Sequence, residues 1–289
     1  MLNDRGTFPS VVRVAFVADV HSNLHAFGGV LEHVGRAPES LAPEHRAGRC
    51  ACGRGSADVD ALYHVGDLVG YGANPAETVD IVRDLRVQGV VGNHDWAALH
   101  EDPVPFNPAA FAGLLHSRRV LGHDARTVLK ELPRRLDLRL DGLDVELVHG
   151  SPADPLWEYV FPDDARRVLG EFVQARATAP GGAGIGPSAP ARGAPGSTPG
   201  GRAVLVLGHT HVPVTERLDA PGRPAAMLLN PGSVGQPRDG DPRASFAVLD
   251  TATGETELHR VYYDIQGAAR AIRSAGLPSS LAERLFAGR

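Results

Sequence analysis

Unbroken apolar stretches alternate with amphipathic ones through the first half of the chain. Residues 11–18 are apolar except for Arg13 and predict a buried strand. Helical spacing follows over 23–34, with Leu24, Phe27, Val30 and Leu31 on one face and Asn23 placed to cap it. Strands are expected at 61–65 and 89–91. A helix is expected at 75–85, where Pro75 stands near the first position and Glu77 in the first turn. Two further helices are predicted at 108–120 and 124–132, and one at 163–173. Residues 136–140 and 145–148 flank Asp141-Gly142, a hairpin signal. Beyond a strand at 203–207, the segments 215–218, 226–229, 245–250 and 255–263 alternate as antiparallel strands, and 267–289 predicts one or two helices.

Two stretches break this pattern. Residues 36–58 are rich in Pro, Gly, Ala and Arg without periodicity, and 177–202 hold almost no large apolar side chain. Neither can offset its ordering entropy by burial, so both are expected to be flexible insertions within one domain spanning 1–289. Strand–helix alternation followed by a strand-rich half predicts an α/β fold: two mixed sheets packed as a sandwich with helices outside.

Composition narrows the function classes. Hydrophobic residues make up 43%, enough for a sizeable core, and the formal net charge of −5 gives no bulk reason to bind nucleic acid or an anionic membrane. No apolar run reaches spanning length, and residues 1–10 are too polar for a signal peptide. Cys50 and Cys52 are the only cysteines and read as thiols of a surface loop, which makes the cytoplasm the expected location.

Chemistry gathers in five short segments, each directly after an apolar run: Asp19-Val20-His21, Gly66-Asp67, Gly92-Asn93-His94-Asp95, His149-Gly150 and Gly208-His209-Thr210-His211. In open α/β sheets the ligand crevice lies beyond the carboxyl ends of the strands, so these side chains would meet. Carboxylate, imidazole and carboxamide donors without thiolate suit Mn, Fe or Zn. If the chain stays extended, Asp19 and His21, two apart, point the same way and grip one ion; His209 and His211 share that spacing. Asp67 could bridge two ions with its two oxygens. Of the thirteen histidines, His25 reads as a packed or solvent-facing residue of the first helix and His64 as a structural strand residue, and His33, His45, His100, His116, His123 and His259 have no motif context.

In order and type the five segments resemble the calcineurin-like metallophosphoesterase superfamily, whose pattern is D-x-H, G-D, G-N-H-[DE], H and G-H-x-H. The resemblance runs from Val14 to about Val234. It implies a four-layer fold and two divalent ions, one on Asp19, His21, Asp67 and His211 and the other on Asp67, Asn93, His149 and His209. His94 would be the catalytic histidine outside the ligand set, oriented by Asp95. Such a pair lowers the pKa of water and clamps the oxygens of an in-line displacement at phosphorus. Two departures stand out. Ser22 replaces the usual glycine, and Tyr71 stands where phosphoprotein phosphatases carry Asp-Arg-Gly's arginine. The Val69-Gly70-Tyr71-Gly72 loop, the His149-Gly150-Ser151-Pro152 segment and the 230–235 turn are instead similar to small prokaryotic phosphodiesterases. The expected activity is hydrolysis of a small phosphate ester, nucleotide-like esters among the candidates. A phosphomonoesterase or protein phosphatase is the alternative, and a non-catalytic scaffold a remoter one. Trp157 and Tyr159 could stack on a base, and Arg238 and Arg243 could reach a phosphate, unless Asp239 or Asp241 holds the arginines.

Overall fold

Side-chain alternation in β1 (Arg13–Val17) divides the core in two. Val14, Phe16 and Ala18 face one way, with Leu147, Val206 and Leu229 from a second sheet; Ala15 and Val17 face the other way, against helices. The computed structural model describes residues 13–45, 49–50, 57–101, 104–178, 202–219 and 226–289. Their order is β1, α1 (Leu24–His33), β2 (Arg49–Cys50), β3 (Ala61–His64), α2 (Pro75–Asp84), β4 (Gln88–Gly89), α3 (Asn93–Leu99), α4 (Pro108–Val120), α5 (His123–Glu131), β5 (Arg135–Leu140), β6 (Leu143–Val148), α6 (Ala165–Thr178), β7 (Ala203–Val206), β8 (Val214–Leu218), β9 (Ala226–Asn230), β10 (Ala244–Asp250), β11 (Thr256–Tyr262), α7 (Ile265–Ser274) and α8 (Ser279–Ala287).

One sheet runs β2-β11-β10-β1-β3-β4 and the other β5-β6-β7-β9-β8. Both are mixed. Strands β1, β3 and β4 are parallel neighbours in the first, and β6, β7 and β9 in the second. Helix α6 covers the outer face of the second sheet, and the outer face of the first carries the remaining helical layer. The expected sandwich with helices outside is therefore the observed architecture. Its consequence for function is that β1, β3, β4, β6 and β7 all deliver their carboxyl ends to one edge of the sandwich.

Local chemistry explains most boundaries. Asn23 Oδ1 accepts from Ala26 N at 3.1 Å and caps α1. Asp141 and Gly142, with φ of 46° and 86°, form the two-residue turn between β5 and β6. Several expectations need correction. Residues 36–58 are not wholly loop: Arg36 donates to Val59 O at 2.8 Å, a 3₁₀ turn spans Pro43–His45, and β2 pairs with β11. Cys50 therefore lies on a strand rather than in a loop; Cys52 lies outside the described residues. Helix α6 runs on to Thr178, past the expected end at 173, and the rest of the 177–202 insertion up to 201 lies outside the described residues. Helix α3 carries no periodic signal, because it has seven residues and the first three are polar site residues.

His64 closes β3 beneath this edge. It is fully buried, its Nδ1 accepts from Gly66 N at 3.4 Å, and its Nε2 has no partner among the described residues. Burial pushes its imidazole down to about 3. The folded value lies below the unfolded one, so its contribution to stability is complete above pH 6.5 and shrinks as pH falls toward 3. Denaturant titrations of wild type and His64→Gln should converge by about 1.4 kcal/mol per pH unit below 6.5. A stability difference that is constant from pH 7 to pH 4.5 would contradict this.

Candidate metal centre

The five polar segments meet at the shared sheet edge, and they do so through tight loops rather than extended strands. Asp19, His21, Asp67, His209 and His211 all have left-handed backbones, with φ between 49° and 68°. The expectation that Asp19 and His21 share a side through strand alternation is thus wrong in its reason: β1 ends at Val17 and the chain coils before each ligand. Such a conformation costs a non-glycine residue of order 1 kcal/mol or more. Neighbouring loops hold it in place. Asp19 N donates to Gly66 O at 3.1 Å, His21 N to Asp67 O at 2.9 Å and Ser22 N to Leu68 O at 2.9 Å. The 230–235 turn buttresses the same loops: Ser233 Oγ donates to Asp19 O at 2.8 Å, and Asn230 Nδ2 to Gly208 O at 2.7 Å. Ser22, itself at φ 55°, occupies a position where glycine would be free of strain.

Each imidazole is fixed by a backbone carbonyl. His21 Nδ1 lies 3.0 Å from Val69 O, His149 Nδ1 2.8 Å from Val65 O, and His211 Nδ1 2.6 Å from Gln236 O; His209 uses Nε2, 3.3 Å from Trp157 O. A carbonyl can only accept, so each of these nitrogens carries the proton and the opposite nitrogen presents a lone pair. Those lone pairs face one another: His21 Nε2 and His211 Nε2 are 3.0 Å apart, as are His149 Nε2 and His209 Nδ1 at 3.1 Å. Asn93 Oδ1 stands 3.1 Å from His149 Nε2, and Asp19 Oδ1 3.3 Å from His211 Nε2. Acceptors facing acceptors at this range repel unless a proton or a metal cation lies between them. The spacing itself fits: bonds of about 2.1 Å put neighbouring donors roughly 3.0–3.4 Å apart around one ion.

Two groups satisfy mutual ligand distance, Asp19–His21–Asp67–His211 and Asp67–His149–His209, with Asp67 in both. They are buried, and the chemistry of the set fits a divalent metal. Burial holds His21 and His211 well below the usual histidine range and His209 at about 3, so these rings stay neutral. Burial, the largest influence, drives Asp19 up; for His149 burial acts downward, and the charge of Asp67 overrules it and raises the group.

Asp67 departs from expectation in detail. Oδ1 accepts from His94 N at 2.8 Å, while Oδ2 alone lies between the groups, 3.5 Å from His21 Nε2 and 3.4 Å from His149 Nε2. Asp95 departs more. Its Oδ1 accepts from Val69 N and its Oδ2 from Gly92 N, both at 3.0 Å, and Nδ1 of His94 has no hydrogen-bond partner among the described residues. Asp95 does not orient His94; it caps α3 and ties the Gly92 loop to the Val69 loop. Packing orients His94 instead. Its ring stacks on Phe106 at 4.2 Å, Tyr71 lies 4.7 Å away, and Nδ1 points at Gly70, where a Cβ would stand 2.5 Å from it.

The rim resolves the arginine question. Arg243 is chelated by Asp241, Nε to Oδ1 at 2.8 Å, whereas Arg238 has no carboxylate partner among the described residues. Arg238 Nη2 donates to Tyr71 Oη at 3.1 Å, and its charge reaches Asp19, His21 and His94. Trp157 packs against Phe106 and Trp96, while Tyr159 stacks on the His209 ring at 3.8 Å. Phe106 and the four carbonyl anchors escaped the sequence reading: a carbonyl has no residue signature, and Phe106 stands in a motif-free loop.

A family model for the calcineurin-like phosphoesterase superfamily domain matches residues 12–254. An uncharacterized protein of Methanocaldococcus jannaschii is 31% identical over 290 residues, which cover 96% of this chain and 98% of that one. Among solved structures, the chain is similar to a metallophosphoesterase from Sphaerobacter thermophilus: 33% identity, TM-score 0.66, 97% of this chain and 100% of that one covered. A hypothetical protein of Pyrococcus horikoshii OT3 shares the fold at 20% identity and TM-score 0.72, with 96% and 99% covered.

An ion that relieves the lone-pair repulsion stabilises the folded state. Manganese at a hundredfold excess over its dissociation constant should add about 2.7 kcal/mol, read as a rise in melting temperature over chelator-treated protein. Asp67→Asn and His211→Ala should lose most of that rise, and Arg243→Met should keep it. No shift in wild type would refute the cluster as a metal centre.

Proposed function

The chain belongs to the calcineurin-like phosphoesterase superfamily, and from that premise we propose that it hydrolyses a small phosphodiester at a pair of divalent ions sharing Asp67. The observation that carries this reading is the single Asp67 oxygen, Oδ2, at nearly equal distance from His21 and His149. On this reading Asp19, His21, Asp67 and His211 hold one ion, and Asp67, Asn93, His149 and His209 the other. Ions held there polarise phosphoryl oxygens and make water acidic enough to attack near neutral pH.

The remaining steps belong to side chains. Arg238, a rim cation with no carboxylate partner among the described residues, binds a non-bridging phosphoryl oxygen, steadied by Tyr71 and by Gln236 Oε1 at 3.2 Å. His94 has Nδ1 turned toward Gly70, so its Nε2 edge serves the leaving oxygen, first as a hydrogen-bond donor and then as proton source. Burial, chiefly, holds this ring at about 4, and the charge of an incoming phosphate acts in the opposite direction, drawing a proton to it when substrate arrives. Asp95 keeps the two loops in register and touches no reacting atom.

The preference for a diester is supported by charge. Tyr71 presents a neutral ring, buried to 7% exposure, against His21 and His94. Arg238 and Arg284 both lie over that ring, at 5.7 and 5.8 Å, but Arg284 Nε donates to Arg289 O; with Arg238 as the cation nearest the centre among the described residues, the rim suits a monoanionic diester better than a dianionic monoester or phosphopeptide.

With manganese, a generic aryl phosphodiester should be turned over, and His94→Ala should lower kcat by roughly 10²–10⁴-fold without changing metal content. Arg238→Met should raise KM more than it lowers kcat. Metal-independent turnover, or full activity in His94→Ala, would overturn the proposal.

A further inference from the structure

Beyond the centre, the chain from Tyr159 to Phe161 forms a surface that catalysis does not use. Val160 is buried at 3% exposure in the core beneath α6, while Tyr159 and Phe161 on either side of it are 47% and 49% exposed. Residues two apart on an extended segment face the same way, and the two rings lie parallel, 10° between planes and 5.7 Å between centroids. The buried valine anchors the segment, so this is a fixed platform. It abuts the centre, because the Tyr159 ring stacks on His209 at 3.8 Å and 22°.

Shielding His209 from water accounts for one face of Tyr159. It leaves Phe161 unexplained, since its only aromatic neighbour among the described residues is Tyr159. Exposing two large rings side by side forgoes the burial that aromatic side chains usually gain on folding. At 5.7 Å the rings stand too close to admit a third ring between them, so a ligand would lie against the exposed surface that the two residues present together. Arg238 senses the same space: its charge acts on Tyr159 as well as on Asp19 and His21. A cation, the metal-ligand cluster and a flat apolar wall therefore lie next to one another.

We propose that Tyr159 and Phe161 are specificity-determining residues that stack the flat aromatic group of the substrate, so that the preferred ester carries a nucleobase or similar ring beside its phosphate. This rests on the phosphoester reading for the position of the phosphate, and it adds the chemical class of the group attached to it. Stacking accepts any π-face, so the platform selects for a base without choosing among bases.

Calorimetric binding to the manganese-loaded protein separates this proposal from the hydrolase reading, since it requires no turnover. The probes are adenosine 5′-monophosphate and ribose 5-phosphate, which differ by the base alone. The nucleotide should bind wild type about tenfold or more tightly than the sugar phosphate, by the usual strength of base–aromatic stacking. Phe161→Ala, which leaves the His209 contact intact, should cut that advantage severalfold without changing ribose 5-phosphate affinity. Tyr159→Ala should do the same at unchanged metal content, and Tyr159→Phe should retain the advantage. Equal affinities in wild type, binding of neither probe, or an advantage that survives both alanine variants would overturn the proposal.

Discussion

Four imidazoles and two carboxylates aim acceptors at each other in a buried space, and the rest of the molecule is arranged to keep them there. A backbone carbonyl holds the proton of each neutral imidazole on the outer nitrogen, so none of these rings, while neutral, can turn a donor inward without losing that bond. Cations between them convert a mutual repulsion into coordination. The carbonyl anchors therefore act as the second layer of the site, setting tautomer and ring direction before any ion arrives.

That demand explains the backbone around it. Five ligands in left-handed conformation cost together of order 5 kcal/mol, comparable with the net stability of many domains. Interlocking loops offset the strain: those after β1 and β3 share backbone hydrogen bonds, Gly208 N donates to His149 O at 3.0 Å, and Gly235 N donates to Asp19 O at 3.0 Å. Close approach is possible where no Cβ intervenes. A side chain at Gly92 would stand 2.1 Å from Asp67 Oδ1. Two sheets, each with parallel strands ending at the same edge, give those loops a common floor.

Much of this was legible in the chain. Strand-then-ligand segments announced themselves because apolar runs ended abruptly in Asp, Asn or His, and Asn23, Pro75 and Asp141-Gly142 marked their boundaries through ordinary capping and turn chemistry. What stayed hidden depended on backbone. Left-handed φ at aspartate and histidine has no residue signal, unlike glycine. The role of Asp95 was misread because a capping carboxylate and a histidine-orienting one look alike in sequence; only the two N–H donors at 3.0 Å distinguish them. Strand β2 escaped because two residues are too few to show a period.

The most direct test of the central claim is anomalous diffraction from crystals soaked in manganese. Two peaks about 3.5–4 Å apart should flank Asp67 Oδ2, one against His21 and His211 and the other against Asn93, His149 and His209. Density absent from that space, or bound only to exposed carboxylates elsewhere, would contradict the account.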